Sequence, residues 1–201
     1  MFRVICVLIG YFVGCIQSAY VVGKFNHVDI RQYGSGNLGT TNALRVLGKK
    51  AGAITFICDI LKSVISFAVC YKLFGGNIMA GVYASFGAVL GHDFPFYLKF
   101  KGGKGIAATI GMTLSLIVTF NPLIAVITYT AGIIGIAATN TISAGSIVFS
   151  VAIPVACFIL KAPYELTAVT AFMCVLAIYK HRSNIERLRA GTENKFIKKK
   201  D

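Results

Sequence analysis

Seven apolar runs, separated by short polar segments, constrain this chain to form membrane-spanning helices. A spanning helix needs about 20 apolar residues to cross a hydrocarbon core roughly 30 Å thick. Only 13% of the 201 residues are charged, about half the share that a soluble domain carries. The runs are Phe2–Val22, Ala51–Leu73, Ile78–Tyr97, Ile106–Phe120, Leu123–Ala138, Ile142–Leu160 and Leu166–Tyr179. The sequence therefore predicts an all-α integral membrane protein and excludes a soluble enzyme or a secreted disulfide-rich scaffold.

The number of spans depends on whether Ile106–Phe120 and Leu123–Ala138 form one helix or two. One helix over both would be about 50 Å long, and Pro122 is expected to stop the first helix. With two helices the chain has seven spans, which place 16 of the 20 Lys and Arg residues on one side, including the basic end Lys198–Lys200. Because basic residues favour the cytoplasmic side, we expect the amino terminus outside and the Gly-rich loops and carboxyl terminus in the cytoplasm.

The net charge of +13 points to the membrane rather than to nucleic acid. The basic residues lie between and after apolar runs, where they set topology and can meet lipid headgroups or phosphorylated substrates. The six cysteines lie inside apolar runs, without a CxxC pair or a His cluster, so we expect no metal site. We expect one domain over residues 1–201 and find no motif for a cofactor.

The first of three polar segments on the expected cytoplasmic side reads GSGNLGTTNALR over 34–45, within the loop Gly23–Lys50. Its GxGxxG pattern lacks the βαβ unit that dinucleotide binding requires, so that match is rejected. The glycines instead predict a backbone that can close on a ligand, with Arg45 as an anion partner. The alternative is a polar turn leading into a helix capped by Thr or Asn. The candidate hydrogen-bonding side chains are Ser35, Asn37, Thr40, Thr41 and Asn42.

The second polar segment covers 91–109 and contains His92, Asp93 and then FKGGKG over 100–105. The glycines lie just before an expected helix, whose terminal N–H groups and dipole attract phosphate, and Lys104 adds a positive charge. It is not a Walker A loop, because it lacks the first glycine and the Ser or Thr after the lysine. The alternatives are a plain basic turn and, for His92 and Asp93, a simple end of a span.

The third polar segment covers 181–193, where His181 and Glu186 form an HxxxxE pattern. That pattern invites comparison with the HxxxxD base–acid pair of soluble-type acyltransferases. In a helix, however, residues at i and i+5 lie about 140° apart around the axis, so we expect His181 to act alone or only to bind. The alternative is a basic helix that rests on anionic headgroups.

Two charged residues, Asp59 and Lys62, lie inside the second apolar run at i and i+3, on one helical face. Charge within the membrane is costly and normally faces a bundle interior or a cavity. The pair is therefore interpreted either as a mutually neutralising structural pair or as a device that orients the substrate loop.

These three segments, in this order and on a chain of this length, closely resemble the bacterial acyl-phosphate-dependent glycerol-3-phosphate acyltransferases, the PlsY family. Asp59 and Lys62 also resemble a family pair. One departure is Asn140, where the family often carries a basic residue before Ser143; any phosphate clamp would then fall to Arg45, Lys104 or Arg187. The matching patterns are 34–42 with Arg45, Gly91-His92 with 100–105, and His181-Arg-x-Asn-Ile185 with Arg187, Leu188, Gly191 and Glu193.

The resemblance implies transfer of a fatty acyl group from acyl phosphate to the 1-hydroxyl of sn-glycerol 3-phosphate, giving lysophosphatidate and inorganic phosphate for phospholipid biosynthesis. It implies a multi-pass protein of the bacterial inner membrane with its active site at the cytoplasmic side. The partners would be these substrates and the bilayer, without nucleic acid or a cofactor; the oligomeric state is open, and a monomer would suffice. The alternative is a small transporter or channel for a phosphorylated or anionic metabolite, which predicts inverted halves or broken helices that the sequence lacks.

The site residues follow from matching the motifs. The backbone of Gly102–Gly105 would hold the acyl phosphate, and His181, oriented by Asn184, would take the proton of the attacking hydroxyl or bind a phosphate. Alternatively, the substrate's own phosphate takes that proton. The expected catalytic residues are Ser35, Lys104, His181 and Asn184. Substrate or phosphate binding is expected of Gly34, Gly36, Asn37, Thr41, Asn42, Arg45, Gly102, Gly103, Gly105, Ser143, Arg187 and Glu193.

Overall fold

The computed structural model describes residues 1–196, so the basic end Lys198–Lys200 lies outside the described residues. All helices and no β-strand make up the regular secondary structure of residues 1–196, which confirms the predicted all-α class. Its helices are α1 (Phe2–Gly14), α2 (Ser18–Phe25), α3 (Thr40–Leu73), α4 (Ile78–Asp93), α5 (Ile106–Thr119), α6 (Pro122–Thr139), α7 (Ile142–Ile159), α8 (Tyr164–Lys180) and α9 (Arg182–Arg189), with short 3-10 helices at Ile30–Gln32 and Phe96–Leu98.

Four helical segments are long and apolar enough to cross a membrane. They are Phe2–Phe25, formed by α1 with α2, and the helices α3, α6 and α7. The other three expected spans are helical as well, but α4, α5 and α8 have only 16, 14 and 17 residues. The chain is an all-helical integral membrane protein, while seven spans and their orientation stay predictions.

The segment around Pro122 forms two helices and not one. The helix α5 ends at Thr119, and Pro122 is the first residue of α6, a position where its missing N–H costs nothing. Asn121 caps α6, since its Oδ1 accepts the N–H of Leu123 at 2.9 Å. The predicted division of this apolar stretch is confirmed.

The chain divides into two compact units, Met1–Ser115 and Leu116–Asp201. The first unit contains α1 to α4 and most of α5. The second contains the end of α5 and the helices α6 to α9. The expectation of a single domain stays a prediction.

In the first unit, α1 and α4 pack with their backbones in direct contact. A Cβ added to Gly14 would overlap the backbone of Ala88, so no larger side chain fits there. Such close approach is typical of small residues at four-residue spacing in membrane helices. The glycines of this contact are Gly10 and Gly14 on α1 and Gly87 and Gly91 on α4.

A break at residues 15–17 separates α1 from α2 and leaves carbonyl groups for side-chain donors. The carbonyl of Cys15 accepts the hydroxyl of Tyr97 at 2.8 Å, and that of Ile16 accepts the Lys62 ammonium at 3.1 Å. These bonds satisfy carbonyls at the end of a helix, which otherwise lack partners. The break also places the buried side chain of Gln17 beside the end of α4.

The helix α3 begins earlier than the predicted loop Gly23–Lys50 allows. It starts at Thr40 and is broken at Gly48, whose φ of 87° lies in the left-handed region that glycine tolerates. The prediction of one continuous loop over Gly23–Lys50 is therefore wrong, because a helix begins within it. Its cap is Gly39 in extended conformation, not a Thr or Asn side chain.

In the second unit, α7 packs against both α6 and α8. Glycines again allow the close contact of α6 and α7, since a Cβ on Gly145 would overlap Ile136 and approach the carbonyl of Gly132. The rings of Tyr129 and Phe149 stack across the same interface with centroids 5.7 Å apart. Only His181 separates α8 from α9, so the basic helix α9 follows directly from the end of α8.

Candidate active site

The loop around Ser35 is held in shape from the first turn of α3. The buried amide of Asn42 accepts the N–H of Ser35 at 2.9 Å and donates to the carbonyls of Ile30 and Tyr33. Gly34 has a positive φ of 64°, and a Cβ there would overlap the Asn42 side-chain oxygen. Ser35 itself is exposed, so the loop presents its hydroxyl outward.

The cations of this region differ in how their charge is balanced. Arg31 forms an ion pair with Asp29 at 2.7 Å, and its hydrogen bond to that carboxylate lowers the pKa of Asp29 to about 2. Arg45 lies on the exposed side of α3 and takes part in no ion pair among residues 1–196. Arg45 is thus the more available partner for an anion, as the sequence predicts.

A buried charge cluster lies deeper in the first unit. Lys62 contacts Asp59 Oδ1 at 2.9 Å and His92 Nδ1 at 2.6 Å, and Ser18 donates to the same Asp59 oxygen at 2.8 Å. Asp59 is fully buried, and Lys62 and His92 are 5% and 3% exposed. Because unpaired buried charge is very costly, the opposite charges of Asp59 and Lys62 must stabilise each other. Asp59 and Lys62 form an ion pair, as both interpretations of the pair require, and His92 is a third member that the sequence did not indicate.

The Gly-rich loop before α5 is folded onto the end of α4. The N–H of Gly103 donates to the carbonyl of His92 at 2.9 Å, and the N–H of Gly102 donates to the backbone carbonyl of Asp93 at 3.2 Å. A Cβ on Gly103 would overlap the His92 ring, so glycine is required there for space. Gly105 has a φ of 69°, which also favours glycine. Two of the four backbone donors predicted to bind phosphate are therefore used inside the protein, which leaves the first turn of α5 as the main backbone donor.

In the second unit, three candidate residues contact one another directly. Glu193 accepts the Asn184 amide at 2.8 Å and the Arg187 Nε at 2.7 Å. Burial alone would raise the pKa of Glu193, but the hydrogen bonds from Asn184 and Arg187 outweigh it and lower the pKa below its ordinary value. The charge of Arg187 is thus already balanced by Glu193, so Arg187 is a weaker phosphate partner than Arg45.

The imidazole of His181 is buried and has a defined tautomer. Its Nδ1 lies 2.8 Å from the carbonyl of Ala177, one turn back in α8. Since a carbonyl oxygen only accepts, Nδ1 carries the hydrogen and Nε2 carries the lone pair of the neutral ring. Glu186 is exposed on α9, which agrees with the expectation that it does not pair with His181.

Asn140 and Ser143 flank the turn between α6 and α7. Asn140 ends α6 with a φ of 52°, in the left-handed region that asparagine tolerates better than most residues. Its carbonyl accepts the N–H of Phe196 at 2.7 Å, and Lys195 donates to the carbonyl of Thr139 at 3.2 Å. Ser143 is buried in the first turn of α7.

Sequence reasoning missed Gln17 and undervalued His92. Gln17 is fully buried and donates to the carbonyls of Gly91 and His92, at the point where the Gly-rich loop attaches. A glutamine inside an apolar run was a usable signal, because a buried amide needs hydrogen-bond partners. His92 was interpreted only as a possible end of a span. Its contact with Lys62 was not predictable, because the two residues are far apart in sequence.

Comparison with known proteins places the chain in a family. The profile of the family described as Glycerol-3-phosphate acyltransferase matches residues 4–191, nearly the whole chain. The chain belongs to the glycerol-3-phosphate acyltransferase family. The predicted resemblance is confirmed, and the protein is a membrane acyltransferase and not a transporter or channel.

Full-length relatives agree with this family. A glycerol-3-phosphate acyltransferase of Thermoanaerobacter pseudethanolicus is 42% identical over 202 aligned positions, covering 99% of this chain and 98% of the relative. One from Clostridioides difficile is 39% identical and covers 98% and 97% of the two chains. None of this similarity is confined to a single motif.

Two solved structures share the fold. A crystal structure of PlsY (YgiH), an integral membrane glycerol 3-phosphate acyltransferase in "the glycerol 3-phosphate form", superposes with a TM-score of 0.88 at 32% identity, covering 97% of this chain and 96% of that one. The "lysphosphatidic acid form" gives a TM-score of 0.84 at 31% identity, with coverage of 96% and 94%.

Proposed function

We propose that this acyltransferase takes its acyl group from a fatty acyl phosphate and transfers it to the 1-hydroxyl of sn-glycerol 3-phosphate. Both substrates carry a phosphate, and one observation carries the proposal. The first unit contains two glycine-rich segments, each with a cationic side chain: the Ser35 loop with Arg45, and the Gly-rich loop with Lys104 before α5. A site for one phosphate would need only one of them.

The start of α5 suits the acyl phosphate. The first N–H groups of a helix lack acceptors within it, and the helix dipole favours negative charge there. Lys104 precedes this turn by two residues and is half-buried, so its charge is less screened than that of an exposed lysine. Ser35 is proposed as a hydroxyl donor to this substrate, and Ser143 as a hydroxyl donor to a phosphate.

The start of α3 suits glycerol 3-phosphate. Arg45 supplies an exposed positive charge, and Thr41 lies one turn before it on the same helix. The amide of Asn42 is engaged inside the loop, so we assign it the role of shaping the Ser35 loop rather than touching substrate. Gly34, Gly36 and Asn37 belong to that loop.

The chemistry is acyl transfer with phosphate as the leaving group. The 1-hydroxyl oxygen attacks the acyl carbon, the bond from that carbon to the phosphate oxygen breaks, and inorganic phosphate leaves. The hydroxyl proton goes to Nε2 of His181 or to a substrate phosphate. Donors at the start of α5 would stabilise the oxyanion. Asn184, Arg187 and Glu193 are proposed to hold the segment that carries His181.

We place the site at the cytoplasmic face of the inner membrane of a bacterium, in a protein with seven spans. The Ser35 loop, the Gly-rich loop and the segment after α8 are rich in basic residues, which favour that face. Glycerol 3-phosphate would reach the site from water, and the acyl phosphate from the bilayer.

The test is phosphate release by the purified protein in lipid, given palmitoyl phosphate with or without glycerol 3-phosphate. We expect release that requires both substrates, with an equal amount of lysophosphatidate. Palmitoyl-coenzyme A is the alternative donor and is expected to give no product. Turnover with palmitoyl-coenzyme A and none with palmitoyl phosphate would reject the proposed donor.

A further inference from the structure

The buried cluster of Asp59, Lys62 and His92 leads directly to the Gly-rich loop. An ammonium group has three hydrogens to donate. Those of Lys62 have three acceptors within reach: Asp59 Oδ1 at 2.9 Å, the carbonyl of Ile16 at 3.1 Å and His92 Nδ1 at 2.6 Å. The lysine is therefore fully hydrogen-bonded, and its charge is balanced by Asp59.

The contact with Lys62 defines the state of His92. A hydrogen on Nδ1 would point at the ammonium only 2.6 Å away, so Nδ1 must be the acceptor. The imidazole is then neutral, with its hydrogen on Nε2. Asp59 Oδ1 also lies 3.5 Å from Nδ1, but that carboxylate oxygen already accepts from Lys62 and Ser18.

The opposite end of the His92 ring faces the loop. A Cβ on Gly103 would overlap His92 Nε2, which shows that this nitrogen lies directly against Gly103. The carbonyl of His92 accepts the N–H of the same glycine at 2.9 Å and also the amide of Gln17 at 3.1 Å. His92 thus contacts Gly103 through both its backbone and its ring.

We propose that His92 is a positioning residue for the acyl transfer: its neutral ring, oriented by Lys62, holds Gly103 so that the first turn of α5 meets the acyl phosphate. This inference rests on the proposed function of that turn. Within the cluster the opposite charges of Asp59 and Lys62 cancel, which fits a supporting role and not a phosphate-binding one. A chain of contacts from Ser18 through Asp59 and Lys62 fixes the ring before substrate arrives.

Two substitutions of His92 test the contacts of its Nδ1 and its Nε2 separately. Asparagine reaches about as far as Nδ1 and keeps an acceptor for Lys62, but it ends short of Gly103. Glutamine reaches about as far as Nε2 and keeps an N–H at that end. We expect His92→Asn to raise the KM for palmitoyl phosphate about tenfold, because the shorter side chain loses its contact with Gly103. The KM for glycerol 3-phosphate should stay within about twofold, and His92→Gln should restore most of the loss.

The matched control is Ser85→Ala, which removes a buried hydroxyl from the same helix two turns before His92. It should change neither KM. An unchanged KM for palmitoyl phosphate in folded His92→Asn would overturn the proposal, and so would equal increases in the two KM values. A merely structural role would lower the unfolding temperature without this split.

The contact can also be tested from the loop, without substrate. Gly103→Ala places a Cβ on the ring and should lower the unfolding temperature. In the His92→Gln background the flexible side chain can move aside, so the same substitution should cost less. If Gly103→Ala lowered the unfolding temperature equally in the wild-type and His92→Gln backgrounds, the contact between His92 and Gly103 would be refuted. If the wild-type protein does not use palmitoyl phosphate, the proposed function is wrong. The unfolding temperatures of these variants would still show whether His92 holds Gly103.

Discussion

At the scale of single residues, Asn42 shows how one polar side chain can hold a loop in shape. Its amide closes the turn that presents Ser35, using one acceptor and two donor bonds. Each such bond stabilises a protein by about 0.5–1.5 kcal/mol, and the buried groups left behind add to the loss. The motif GTTN therefore combines a helix start with a loop anchor.

We predict that Asn42→Ala lowers kcat/KM for glycerol 3-phosphate roughly tenfold or more, because the Ser35 loop loses three hydrogen bonds. The measurement is steady-state kinetics with glycerol 3-phosphate as the varied substrate. The matched control is Asn26→Ala, which removes an exposed asparagine whose amide bonds only to Val22 at the end of α2. Kinetics of Asn42→Ala that match this control would contradict the anchor role.

Glu193 makes a prediction about pH. Its pKa is lowered in the folded protein, so its bonds to Asn184 and Arg187 stabilise the fold above the ordinary value of 4.5. That stability is lost as the pH falls through the folded-state pKa. Between pH 7 and pH 3, the unfolding temperature of the wild type should therefore fall more than that of Glu193→Gln. Glu186→Gln, on exposed α9, should keep the wild-type dependence; identical curves for all three would contradict the prediction.

At the scale of helices, the contact of α1 with α4 depends on the absence of side chains. The backbones meet at Gly14 and Ala88, so any added carbon must push the helices apart. The break at residues 15–17 directly follows this contact. It brings the Ile16 carbonyl to Lys62 of the buried cluster and the Gln17 amide to the carbonyl of His92, where the Gly-rich loop attaches. The close packing of two spans thus supports the loop at their end.

We expect Gly14→Ala to lower the unfolding temperature by several degrees, since overpacking costs about 1–3 kcal/mol. The measurement is thermal unfolding of the purified protein in lipid or detergent. Val4→Ile adds one carbon to the exposed side of the same helix and should have little effect. Equal stability of the two variants would show that α1 and α4 are not so close.

The helices also show which features sequence can predict. Pro122 and Asn121 act on their own neighbours, so the end of α5 and the start of α6 followed from local chemistry. The start of α3 did not, because its cap is Gly39, which offers no side-chain signal, and because Gly48 breaks the helix. Propensity and capping rules describe local preferences only, and they did not predict where α3 begins.

At the scale of the whole molecule, composition and charge pattern predicted an all-helical membrane protein, and the order of three motifs indicated its family. Both are local or additive properties of the sequence. The link from Lys62 through His92 to Gly103 was not predictable, because it joins residues from three separate segments. The same holds for Gln17, whose acceptors lie more than 70 positions away.

We propose that two segments of the first unit, each with its own cationic side chain, bind the phosphates of two different substrates. The most direct test compares KM values for both substrates in Lys104→Ala and Arg45→Ala, measured with the purified protein in lipid. We predict that Lys104→Ala raises the KM for palmitoyl phosphate and Arg45→Ala that for glycerol 3-phosphate, each by about tenfold or more for a lost charged contact. The assignment of the two segments would be wrong if both variants raised the same KM. It would also be wrong if Lys104→Ala raised only the KM for glycerol 3-phosphate and Arg45→Ala only the KM for palmitoyl phosphate.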